Sequence, residues 1–161
     1  MEKIILTGTV HTGKSTTLWK WISRCTEKGV STIGILNPVI DGKKYFIDPA
    51  TGERWKMEAG NDVKNAIKIG RYRFDETAFI KARKTLAKCC TQVSDVVVID
   101  ELGKLELNSS GLEPQAGKLL SKANAVAREA FIVVVRDYLL QAAISKFDLH
   151  GYEIVKSTHF D

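Results

Sequence analysis

The sequence predicts an α/β fold: a three-layer sandwich with helices on both faces of a mostly parallel sheet. Three observations lead there. Apolar runs of strand length alternate with amphipathic stretches of helix length along most of the 161 residues. Two of those runs, Val96–Ile99 and Phe131–Val135, are unbroken by polar residues, as strands covered on both faces require. Between about residues 38 and 69 the alternation gives way to short strands and turns, which reads as an antiparallel β-meander inserted into the sandwich.

The elements follow in order. Lys3–Thr7 reads as a short buried strand, Gly8–Ser15 as a loop, and Lys14 to about Lys28 as a helix. Leu18, Trp21, Ile22 and Cys25 recur at helical spacing and give that helix an inward stripe, and Gly29 is a C-terminal stop. Ser31–Leu36 is a second strand. Val39-Ile40 and Lys43–Ile47 flank an Asp41-Gly42 turn, as in a hairpin. The turn cluster Asp48–Gly52 leads to a third short strand at Arg54–Met57, and Ala66–Ile69 can add another. Asp75 is placed to cap a helix running to about Cys90, with Phe79, Ile80, Leu86, Ala87 and Cys90 on its apolar face. Asp95–Ile99 is a strand, Pro114 to about Ala127 a helix, Phe131–Val135 a strand, Tyr138–Phe147 a helix and Tyr152–Val155 a last strand.

Length fits one domain over residues 1–161. Hydrophobic residues make up 44% and charged residues 27%, ordinary for a globular protein. No apolar run is long enough to span a bilayer, so no membrane partner is expected. The N-terminus lacks a signal-peptide layout, which makes the cytoplasm the expected compartment. Cys25, Cys89 and Cys90 are an odd set without metal-ligand spacing and read as small apolar residues. A net charge of +5 suits a polyanionic partner. Nucleotide phosphates satisfy that charge, and nucleic acid is not expected as the main partner. A monomer is the expectation.

The strongest motif is Gly8-Thr9-Val10-His11-Thr12-Gly13-Lys14-Ser15, the full G-x-x-x-x-G-K-S pattern between a strand and an amphipathic helix. Such a P-loop turns on its glycines and aims successive backbone N–H groups, with the positive end of the next helix, at phosphates. Lys14 would neutralise the outer phosphate oxygens, the Ser15 hydroxyl would ligate magnesium, and Thr16 would add a contact nearer the α-phosphate. His11 occupies a permissive position and is read as facing solvent, with phosphate contact as the alternative.

The second motif is Asp100-Glu101 at the carboxyl end of the Val96–Ile99 run, the rim where α/β sheets bind ligands. Asp100 fits a metal-holding Walker-B role, and Glu101 fits the base that polarises an attacking water. An Asp-Glu pair here is the mark of the RecA-like division of P-loop NTPases. It implies a strand inserted between the P-loop strand and the Asp95–Ile99 strand. Arg136 follows the Phe131–Val135 strand and is a candidate to stabilise transition-state charge, with an ion pair to Asp137 as the alternative. Arg71 and Arg73 are further candidates of the same kind.

Asp100-Glu101-Leu102-Gly103-Lys104-Leu105-Glu106-Leu107 resembles the Asp-Glu-Ile-Gly-Lys-Met-Glu-Leu signature of a small P-loop nucleoside-triphosphatase family, called cancer-related nucleoside-triphosphatase in animals. Ile69–Phe74 and Gly34-Ile35-Leu36 resemble two further stretches of that family, and the likeness runs from Lys3 to about Val135. The resemblance implies magnesium-dependent hydrolysis of ATP, GTP and other nucleoside triphosphates to diphosphate and phosphate. It further implies that the segment from Asp100 through Gly103 to Glu106 lies against the nucleotide. Lys104 would then approach the terminal phosphate and Glu106 would orient Lys104, a surface ion pair between them being the alternative.

A small kinase of the same fold is the alternative function, although no compact arginine-rich lid stands out. Ser145-Lys146-Phe147-Asp148 is superficially a guanine-reading motif, but it falls inside an expected helix.

Overall fold

The computed structural model describes residues 2–9, 12–64, 66–69, 72–125 and 130–160, side chains 124 and 125 excepted. Among them a five-stranded, all-parallel sheet is built from β1 (Lys3–Gly8), β2 (Thr32–Ile35), β8 (Val96–Asp100), β9 (Ala130–Arg136) and β10 (Glu153–Val155). The spatial order is β10-β1-β9-β8-β2, so β9 separates the P-loop strand from β8 as the Asp-Glu pair implies.

Alternation along these strands sorts the core into two layers. Ile4, Leu6, Val96, Val98, Ile132 and Val134 face α1 (Lys14–Glu27) and pack with its Leu18 and Ile22. Ile5, Val97, Ile99, Val133 and Val135 face the other way, toward α2 (Glu76–Cys89), α4 (Gln115–Ala125) and α5 (Leu140–Phe147). Two-sided burial is why these strands are apolar at every position. On α1, Trp21 and Cys25 are only half-buried, and Trp21 packs edge-on against Phe160 at 5.1 Å.

The inserted region is antiparallel, as expected, and longer. β3 (Val39–Ile40), β4 (Lys43–Ile47) and β5 (Arg54–Lys56) form the meander. A second hairpin, β6 (Ala66–Ile69) with β7 (Tyr72–Asp75), carries the antiparallel pairing on to Asp75. Tyr72–Asp75 was not expected as a strand. Its alternation, exposed Tyr72 and buried Phe74, is too short to stand out against the adjoining helix signal.

Asp75 caps α2 through an N–H bond from Thr77 at 2.9 Å. The buried face of α2 is Ala78, Phe79, Ala82, Leu86 and Cys89, which corrects the expected one: Ile80 and Ala87 are exposed. Positions 79, 82, 86 and 89 follow the three-four rhythm, and 80 and 87 lie one row around the helix. Gly34 in β2 approaches β8 closely. A Cβ there would lie 1.9 Å from the Val98 carbonyl oxygen, and φ is +124°.

Candidate active site

The carboxyl ends of β1, β9 and β8 converge on one level, with Gly8 paired to Arg136 and Asp100 to Val134. Val96, Val98 and Asp100 alternate onto the α1 face of the sheet, so Asp100 emerges beneath the first turn of α1. There the Ser15 hydroxyl donates to Asp100 Oδ1 at 2.9 Å. The Asn37 backbone N–H donates to Asp100 Oδ2 at 3.0 Å. Burial pushes the Asp100 carboxyl up to about 6, and the Glu101 charge adds to this; the bonds from Asn37 and Ser15 oppose it.

The P-loop turns into α1 at Gly13, whose φ of 72° is the left-handed conformation that favours glycine. Lys14 is buried and folds back across the loop. Its ammonium donates to the Thr9 carbonyl at 2.7 Å and to Thr12 Oγ1 at 3.3 Å. Burial lowers its proton affinity, against the pull of Glu101 and Asp100. Val10 and His11 lie outside the described residues.

Glu101 stands at the centre of the cationic groups. Arg136 Nη2 is 3.1 Å from its Oε1, and Lys44 Nζ, arriving from the meander, is 3.6 Å from the same atom. The expected alternative for Arg136, an ion pair with Asp137, is not what forms; the guanidinium meets Glu101. Thr12, Gly13, Lys14, Ser15, Thr16, Asn37, Val39, Lys44, Glu101 and Arg136 line one cleft of about 110 Å³.

Two expectations from the octet need correction. Glu106 is 4% exposed, and neither lies open to a nucleotide nor orients Lys104. Its Oε2 accepts the Gly103 N–H at 2.9 Å and its Oε1 the Leu112 N–H at 3.0 Å. A one-turn helix, α3 (Lys104–Leu107), follows β8 and turns these side chains in different directions. Lys104 instead lies over the Tyr138 ring, 5.7 Å from its centroid. Gly103 sits between Glu101 and Glu106, a Cβ there being 3.7 Å from Glu101 Oε1 and 3.5 Å from Glu106 Oε2.

Of the other arginine candidates, Arg73 donates to the Val63 carbonyl at 3.0 Å, and Arg71 is outside the described residues. Lys146 of the guanine-like motif lies in α5 and clasps the end of α3, donating to the Glu106 and Leu107 carbonyls at 2.8 and 3.0 Å. A hollow of about 390 Å³ beside Lys146 is larger than the P-loop cleft. In it Glu113 accepts the Gly117 N–H at 2.8 Å, and Lys146 is held by the carbonyls of α3.

Sequence reasoning missed Asn37 and Lys44. Asn37 follows β2, a neighbour of β8, and the ligand-binding rim of a parallel sheet was a usable signal for it. Lys44 carried none, because its place depends on how the meander folds back.

Residues 3–157 match the model of a family described as NTPase. A nucleoside-triphosphatase THEP1 from Hyperthermus butylicus is 28% identical over 116 residues, which cover 68% of this chain and 60% of that protein. A nucleoside-triphosphatase THEP1 from Korarchaeum cryptofilum is 28% identical over 116 residues, covering 66% and 57%. The matched stretch thus spans less than two thirds of either relative. The crystal structure of THEP1 from the hyperthermophile Aquifex aeolicus superposes with a TM-score of 0.67 over 97% of this chain and 89% of that one, at 20% identity. At that identity the likeness establishes the fold, a P-loop NTPase sandwich.

Proposed function

The chain belongs to the NTPase family, and from that premise we propose that it hydrolyses nucleoside triphosphates to diphosphate and phosphate with magnesium. The observation that carries this reading is the bond between Ser15 and the buried Asp100, 85 residues apart, where Ser15 lines a cleft with Lys14, Glu101 and Arg136. A hydroxyl and a buried carboxylate are hard oxygen donors that suit a divalent cation. Magnesium typically takes one or two protein oxygens and completes its shell with phosphate oxygens and water. Ser15 and Asp100 would hold it, and once bound it supplies charge neutralisation on the outer phosphates.

The chain's own groups divide the remaining work. The N–H groups from Thr12 to Thr16 and the positive end of α1 receive phosphates. Lys14 exchanges its bonds to Thr9 and Thr12 for phosphate oxygens. Glu101, at a half-buried site, takes a proton from the attacking water. Arg136, now spent on Glu101, counters charge developing on the transferred group. Lys14, Ser15, Glu101 and Arg136 act on phosphates and water rather than on a base, so ATP and GTP serve alike. The protein acts as a cytoplasmic monomer, and nucleic acid plays no part.

Phosphate release from a panel of nucleoside triphosphates with magnesium, with and without small-molecule acceptors, tests the proposal. Release without acceptor, lost in Lys14→Ala, supports it. Turnover only when an acceptor is present would make the protein a kinase instead.

A further inference from the structure

We infer that Lys44, carried by the inserted meander, distinguishes a nucleoside triphosphate from a diphosphate in this cleft. The inference rests on the nucleotide reading above and adds to it a specificity residue for the third phosphate.

The aim of this side chain is set by its strand. Lys44 lies in β4, held on both sides: it pairs with Val39 of β3, and its carbonyl accepts the Met57 N–H at 3.0 Å. Side chains two apart on a strand point the same way. Phe46, on the same face as Lys44, is 1% exposed and packs edge-on against Phe79 of α2 at 5.2 Å, and the Lys44 side chain is itself only 27% exposed. Its neighbour Lys43 is exposed. An inward ammonium requires polar partners, and Lys44 finds them at the cleft: Asn37 Oδ1 at 3.3 Å and Glu101 Oε1 at 3.6 Å.

Three cations, Lys14, Arg136 and Lys44, therefore share a cleft with the carboxylate Glu101, and Ser15 in its lining donates to the buried Asp100. Lys14 and the amides of α1 belong to the P-loop and serve the phosphates it cradles. Lys44 reaches the cleft from the meander, outside the P-loop, and is held there by Asn37 and Glu101. A diphosphate on the P-loop leaves those contacts as they stand. The third phosphoryl group of a triphosphate brings further negative charge, and Lys44 exchanges Glu101 for it, freeing the carboxylate for water.

The test is equilibrium binding, with magnesium, of a non-hydrolysable ATP analogue and of ADP to wild type, Lys44→Met, Lys44→Arg and Lys43→Met. Methionine keeps the aliphatic stem, and a melting curve verifies each fold. A charge-assisted hydrogen bond implies that Lys44→Met weakens the triphosphate analogue at least about tenfold. ADP affinity should stay within about twofold. Arginine should restore most of the preference, and Lys43→Met should behave as wild type. If Lys44→Met unfolds, the same comparison is made on Lys44→Gln. Equal weakening of both ligands, or of neither, overturns the inference while leaving the nucleotide reading intact. Failure of wild type to bind either nucleotide overturns both.

Discussion

Replacing Glu101 by Gln separates charge from shape at the centre of the cleft. Glutamine has the same outline and can still accept a hydrogen bond from Arg136, but it cannot take a proton from water. The structural cost is small. The pairs lost are with Arg136 and Lys44, whose side chains are 28% and 27% exposed. Partly exposed pairs contribute about 0–1 kcal/mol each, a shift of a few degrees at most in a chain of this size. The kinetic cost is larger, because a positioned general base contributes about 10²–10⁴-fold, or roughly 3–5 kcal/mol of barrier. Glu101→Gln should therefore lower kcat by at least about a hundredfold while triphosphate binding stays equal or tightens, since a negative charge has left the phosphate site. Single-turnover phosphate release at saturating nucleotide, with a binding titration and a melting curve on the same preparation, separates the three effects. A rate within about threefold of wild type would refute the base assignment.

Asp100 gives a pH-dependent prediction. Its carboxyl sits at about 6 rather than 3.8, so without metal the fold favours the protonated form. That stabilisation is present below about pH 4 and is lost as pH rises through 6, on the order of 3 kcal/mol in all. Asp100→Asn stays neutral. In chelator it should melt above wild type at pH 8, with the gap closing by pH 4, and it should have lost magnesium-dependent turnover. Parallel melting profiles would show that Asp100 is not held as described. Glu106→Ala strands the buried N–H of Leu112 and the partly buried N–H of Gly103. At about 1–3 kcal/mol for each unmet group, calorimetry should show a melting point lower by roughly 5–15 °C. A fall under about 2 °C would mean the carboxylate is not the latch for this loop.

The sandwich was legible because its strands are buried on two faces and its helices on one, a contrast that residues such as Val96–Ile99 and Leu18 with Ile22 write into local pattern. The union of Ser15 with Asp100 was legible too, since Ser15 opens the helix after the P-loop strand and Asp100 ends its own strand, and parallel topology brings both to one edge of the sheet. Glu106 was misplaced because one turn of helix, α3, intervenes, and four residues are too few for a periodic signal. Lys44 was invisible for a different reason. Its partner Glu101 is 57 positions away, and only the three-dimensional return of β4 joins them.

Gly8, Asp100 and Arg136 each close a strand of one continuous ladder, paired through β9. The distances between the reacting groups are thus written in main-chain hydrogen bonds, which repeat at fixed steps and stretch little. Loops joining the strands can lengthen freely without disturbing that ruler. Removal of a single residue from β8 or β9 would instead turn Asp100 or Arg136 to the opposite side of the sheet. The protein's tolerance of change is therefore divided by position along the chain: generous in the connections outside the P-loop, nearly absent in the buried stretches of β8 and β9 that precede Asp100 and Arg136.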